Sequence, residues 1–176
     1  MDDIVKAALK KWPNVPHCYG WLALDARGDW YMRDDATQAA GPFPRVKGSR
    51  ILHDKLREFI ERNYTRDEAG CWFFQNGPQR VYVELEASPW VWRVHEANGS
   101  VSLHSHTGLP ATFESAWLDE QGRLFLGTDL GLGLVHTQDM EAASRMVESG
   151  AWQPAQVRFE ELAPRFGHRL SPAASR

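Results

Sequence analysis

The sequence predicts an α+β protein: one domain over residues 1–170, built on a single antiparallel, twisted sheet of about seven or eight strands with about three flanking helices. Three observations predict it. Between Tyr19 and Leu126, short runs rich in aromatic and β-branched residues alternate with glycine-containing turns, the pattern of strands hairpinned to their neighbours. Three other segments place apolar residues at i, i+3 and i+4, the period of a helix with one buried face. Finally, 176 residues with 43% hydrophobic and 24% charged content are enough for one core and match the composition of a globular chain.

The elements follow in chain order. Ile4, Val5, Ala8, Leu9 and Trp12 share a helical face behind Asp2 and Asp3, whose charges suit a helix N-terminus, and Pro13 ends that helix. Residues 21–24 and 29–32 read as a hairpin closed by Gly28. The segment 36–48, with Gly41, Pro42, Pro44 and Gly48, reads as a loop, and 49–64 as a second helix aligning Leu52, Leu56, Phe59, Ile60 and Asn63. Three hairpins come next. Residues 71–74 pair with 81–85 around Asn76-Gly77-Pro78, 90–95 with 101–106 around Asn98-Gly99, and 115–118 with 123–126 around Asp119-Glu120-Gln121-Gly122. Leu134 and Val135 form a last strand, Thr137 or Asp139 caps a third helix over 137–149, and residues 171–176 read as a disordered tail.

The phrase Asp-x-x-Gly before a strand occurs from Asp25, Asp67 and Asp119. Its physical sense is a turn, because the aspartate bonds backbone amides just ahead of it and the glycine accepts positive φ. Separations of 42 and 52 residues fit no solenoid, so the phrase reads as recurring turn chemistry.

Charge and composition exclude several functions. With 20 Lys+Arg against 23 Asp+Glu, the net charge of −3 and the absence of a basic cluster argue against nucleic-acid binding through counterion release. No apolar run approaches the ~20 residues of a membrane span. The acidic start Met1-Asp2-Asp3 lacks the apolar stretch of a secretory signal. Cys18 and Cys71 fit no metal-ligand spacing and read as free thiols of a reducing compartment, although a single disulfide stays open. The expected location is the cytoplasm.

Three segments carry a resemblance: 12–22 (WPNVPHCYGWL), 70–83 (GCWFFQNGPQRVYV) and 131–139 (GLGLVHTQD). Together they resemble a family of proteobacterial proteins of unknown function, over the chain up to about Trp152. The resemblance implies a cytoplasmic bacterial protein and supplies no activity, substrate or catalytic residue.

A candidate site comes from the hairpin around Asn98-Gly99. A two-residue loop there sets Ala97 opposite Ser100 and Arg93 opposite His104. Trp90, Trp92, Val94, Val101 and Leu103 then share one face, and Arg93, His95, His104 and His106 the other. Three imidazoles and a guanidinium on one face make these four the candidate ligand-binding residues, suited to an anion. The alternative is a metal-dependent enzyme. His104, His106, Glu114 and His136 weakly resemble the two metal motifs of cupin β-barrels, with His95 as a substitute ligand, and imidazoles suit Zn, Fe, Ni or Cu. The spacing departs from the cupin pattern, because seven residues separate His106 from Glu114 and Gly131 stands where a proline is expected.

Other patterns resolve as structure. The glycine-rich stretch 127–133 lacks the Gly-Lys-Ser/Thr of a phosphate loop and the third glycine of a dinucleotide fingerprint. Glu84 and Glu86 alternate with Val83 and Leu85, as on a solvated face, and neither cysteine has a nucleophile signature. Most of the eight tryptophans sit in strands and should be core. These readings lead to a non-catalytic cytoplasmic binding or protein-interaction module. It needs no cofactor, and its partner is a small ligand or a protein rather than nucleic acid or membrane.

Overall fold

The computed structural model describes residues 1–175, so Arg176 of the expected tail lies outside the described residues. The backbone groups into two compact units, one of Met1–Asp25, Asp29–Glu86 and the chain from Gly167 onward, the other of Ala26–Gly28 and Ala87–Phe166. Each has its own mixed sheet, where the sequence led us to expect a single antiparallel one.

In the first unit, β1 (Cys18–Leu24) forms the expected hairpin with β2 (Trp30–Met32), and β5 (Trp72–Asn76) forms one with β6 (Gln79–Leu85). The short strands β3 (Ser49–Arg50) and β4 (Tyr64–Arg66) complete the order β3-β2-β1-β6-β5-β4. At its centre β1 and β6 run parallel, with Leu24 opposite Leu85. Turn chemistry reveals only pairs adjacent in sequence, whereas a parallel join needs a long crossover, here everything from β2 to β5. That is why an antiparallel sheet was the wrong expectation.

The helices of this unit are α1 (Asp3–Lys11), α2 (Asp35–Ala40) and α3 (Asp54–Arg62). α2 occupies the start of the segment expected to be loop. Its N-cap Asp34 accepts the Thr37 N–H at 2.8 Å, a cap strong enough to nucleate a short helix before Gly41. α3 starts later than the expected residue 49 because Ser49 and Arg50 pair with β2, and His53 Nδ1 caps the helix from the Leu56 N–H at 3.3 Å. The loop beyond α2 is tied down by Arg33, which is buried with no carboxylate among its hydrogen-bond partners in the described residues. Its guanidinium donates to the carbonyls of Val46, Gly20 and Gly41 at 3.2, 3.3 and 2.7 Å.

The second unit contains β7 (Trp90–Ala97), β8 (Ser100–Ser105), β9 (Pro110–Ala111), β10 (Phe113–Leu118), β11 (Leu124–Thr128), β12 (Gly131–Val135) and β13 (Ala155–Gln156). Asn98 and Gly99 both have positive φ, 51° and 74°, as a type I′ turn requires. The register is the expected one at every position, Ala97 opposite Ser100 through to Arg93 opposite His104. Trp90, Trp92, Val94 and Leu103 are buried accordingly. Trp92 is wholly buried: its indole N–H donates to the Leu126 carbonyl at 3.0 Å, and its ring lies flush on Gly133, where a Cβ would come within 2.3 Å of the indole nitrogen. The expected third helix is a 3-10 turn, Thr137–Asp139, followed by α4 (Met140–Glu148). Asp139 stands at the N-cap of α4 as expected but makes no side-chain capping bond, its carboxylate being taken by Arg93 and Val94. The 3-10 turn before it is capped by His136, whose Nδ1 accepts the Gln138 N–H. A further helix, α5 (Phe159–Phe166), carries Leu162 into a core with Phe125, Leu132 and Leu134.

Strand for strand, the second sheet repeats the topology of the first. Its order β13-β10-β11-β12-β7-β8-β9 is that of β4-β5-β6-β1-β2-β3 with β13 added outside β10. β12 and β7 run parallel as β6 and β1 do. The pairs Arg66–Trp72 and Asn76–Gln79 reappear as Leu118–Leu124 and Thr128–Gly131, each 52 residues later. Both sheets are open, with edge strands at each end, so neither is a cupin barrel.

Candidate functional site

The imidazole face of the second unit is partly assembled. His95 and His104 meet edge to face, with ring centroids 5.3 Å apart, and His104 Nδ1 is buried with no hydrogen-bond partner among the described residues. Arg93, opposite His104, is already engaged. Its Nε and Nη2 donate to Asp139 at 2.6 and 3.1 Å, and the Val94 N–H donates to the same carboxylate at 3.0 Å. The Arg93 guanidinium holds the Asp139 carboxyl below its usual range, so both groups stay charged and paired at neutral pH. An incoming anion would have to displace Asp139. His106 lies beyond the end of β8, in the turn after it. Its Nδ1 accepts the Val91 N–H at 3.3 Å, and its ring centroid is 5.8 Å from that of Trp90.

The four-ligand metal set of the cupin comparison is not brought together. Glu114 is an exposed residue of β10, a strand that does not pair with the β8 of His104. His136, at the end of β12, spends its Nδ1 on the turn into α4. Among the described residues no group of three or more His, Cys, Asp or Glu side chains is placed to hold a metal ion.

A different feature has the form of a binding site. In the first unit Phe74, Val81 and Cys18 stand in a row across β5, β6 and β1, and Leu22 faces Met32 across β1 and β2. α3 covers one side of this face. Ile60 is buried there, and Phe59 meets Phe74 edge to face at 5.3 Å. Between the helix and this face a groove of about 320 Å³ stays open, with a lining that is mostly carbon and includes the Cys18 thiol and the Asn76 amide. Trp21 (38% exposed), Met32 (48%) and Leu56 (37%) line it without being buried.

The local sequence explains the opening. Gly20 has φ +80°, and the pairing of β1 with β6 slips between Cys18 and Leu22. Such a bulge re-aims the strand, so that neighbouring residues Trp21 and Leu22 both reach the groove, which a regular pleat forbids. The sequence reading places Trp21 among the strand tryptophans of the core and Leu56 and Phe59 on one face of a helix, and does not foresee that they border a groove. The available signal was Gly20 inside an otherwise strand-like run.

The family model DUF2944, described as "Protein of unknown function (DUF2946)", matches residues 1–173. The chain belongs to that family. No curated protein matches this DUF2944 member. Among solved structures, the crystal structure of a DUF1285 family protein from Shewanella baltica OS155 is similar at a TM-score of 0.48 and 13% identity, covering 71% of this chain and 91% of that one.

In this DUF2944 member the other reactive side chains singled out by the sequence have defined surroundings. Burial pushes the Cys18 and Cys71 thiols up, which keeps both protonated and poorly nucleophilic at neutral pH, and both cysteines are free. The sequence places Glu84 and Glu86 on a solvated face, but Glu84 is buried and accepts the Ala173 N–H at 3.2 Å, while Glu86 pairs with Lys47 at 3.2 Å. Among the described residues no helix is long and apolar enough to cross a membrane.

Proposed function

We propose that this protein is a non-catalytic binding module of the cytoplasm and that the groove of the first unit is where it binds. The observation that carries this reading is the exposure of Trp21, Met32 and Leu56 around a concave, carbon-lined space. Exposed apolar side chains gathered at a cavity mark interaction sites, and about 320 Å³ is at the lower end of small-ligand pockets. The lining selects for an uncharged, apolar group with at most one hydrogen-bonding end, which the Asn76 amide can meet. A charged ligand would lose its hydration there without a counter-ion. The free thiols support a reducing compartment.

The test is a fluorescence titration with the uncharged apolar probe N-phenyl-1-naphthylamine. Saturable one-to-one binding is expected, weakened about tenfold, or about 1.4 kcal/mol, by Leu56→Gln and unchanged by His95→Ala with His104→Ala. Absent saturation, or binding lost only in the histidine variant, would refute the reading.

One observation favours a second reading. The buried, unpartnered His104 Nδ1 beside His95 suits a transition metal or a polar ligand on the second unit, and calorimetry with Zn²⁺ decides it. Heat of binding that disappears in His104→Ala supports it, and no heat removes it.

A further inference from the structure

The chain after Gly167 lies against the first unit as a strap. The Arg169 N–H donates to the Gly70 carbonyl at 3.0 Å and the Leu85 N–H to the Leu170 carbonyl at 2.8 Å, so residues 169–170 bridge the turn after β4 and the end of β6. The Ala173 N–H reaches the Glu84 carboxylate at 3.2 Å, and Arg169 Nε the Ala69 carbonyl at 3.2 Å. The approach is closest at Gly70, where a Cβ would lie 2.2 Å from the Gly167 carbonyl oxygen, so any side chain there lifts the strap. At the head of the strap stands His168. It is 6% exposed, and its Nε2 is buried with no hydrogen-bond partner among the described residues.

We propose that residues 167–174 form an acid-sensitive latch on the first unit, with His168 as the residue whose protonation opens it. A protonated imidazole would carry a second donor into a site that offers Nε2 no acceptor, and Arg66 on β4 would repel it. The other charged groups on the elements under the strap are occupied or outside it. Asp67 accepts from the Tyr82 hydroxyl and the Cys71 N–H, each at 2.9 Å, Glu84 accepts from Ala173, Glu68 is exposed, and Arg169 on the strap itself is a cation. Burial accordingly pulls the docked imidazole down to about 4 from its ordinary 6.5. The undocked strap therefore binds more protons between those values. Docking is at full strength above pH 6.5 and weakens as pH falls toward 4. Opening frees the end of β6 and uncovers Glu84.

Hydrogen exchange of the Arg169 and Leu85 amides, normalised to intrinsic rates, tests this at pH 7.5 and 5.0. The wild type should lose about thirtyfold in protection, and His168→Gln, neutral at both pH values, less than threefold. Gly70→Ala, with its strap lifted, should show low protection at both. Unchanged protection in the wild type, an equal loss in His168→Gln, a loss shared by the second unit's Leu134 amide, or a His168 C2 proton that titrates near 6.5 would each overturn the latch.

Discussion

The single residues that define this protein are polar groups placed where only one arrangement satisfies them. Arg33 spreads three bonds over three carbonyls, a geometry that lysine, with one compact ammonium, cannot reproduce. Arg33→Lys should therefore destabilise the chain by about 2 kcal/mol in chemical denaturation, with loss of amide protection concentrated at Val46, whose carbonyl the side chain anchors. Asp139 makes a second case. Its carboxyl titrates below its ordinary 3.8 because Arg93 donates to it, so the pair contributes stability above that value and loses it as pH falls through the lower folded value. With Arg93 more than a third exposed, Asp139→Asn should cost only about 1 kcal/mol at pH 7. The gap between variant and wild type should close in acid melts, and a gap independent of pH would contradict the assignment. Residue-scale commitments of this kind escape sequence reading. Arg93 looked available for an anion because nothing in the sequence places Asp139, 46 positions away, against it.

Among the elements, hairpins were the most legible. Asn98-Gly99 set the β7–β8 register to the residue, because a two-residue loop with positive φ at both positions permits one pairing. Helix limits were less so, since the start of α3 depends on Ser49 and Arg50 finding a partner in β2. The parallel joins were invisible, being made by strands with most of a unit between them. One such join, β7 with β12, rests on Gly133, where Trp92 occupies the space of a side chain. Gly133→Ala should lower stability by about 2–3 kcal/mol through overpacking, and Trp92→Ala by about 3–5 kcal/mol through the cavity it leaves. The two should be strongly non-additive, because removing the indole makes room for the methyl group. Additive losses in equilibrium denaturation would mean that the two residues are not in this contact.

For the whole molecule, the recurrence of one strand order in two units changes the meaning of a sequence pattern. The Asp-x-x-Gly turns at Asp67 and Asp119 are indeed turn chemistry, with Gly70 and Gly122 at φ 80° and 75°. Their 52-residue spacing is also the spacing of every counterpart pair in the two meanders, which only the pairing reveals. The repeat does not extend to side chains. Phe74 and Val81, which stand over the groove, have Leu126 and Gly133 as their counterparts, and there Trp92 fills the space. At this one position, therefore, the same strand order leaves an open groove in the first unit and a packed indole in the second. The most direct test of this account is a ¹H–¹⁵N correlation spectrum recorded as N-phenyl-1-naphthylamine is added. It should show saturating shifts for Trp21, Leu22, Met32 and Leu56, with His95 and His104 unmoved. Shifts centred on those two histidines, or none that saturate, would contradict it.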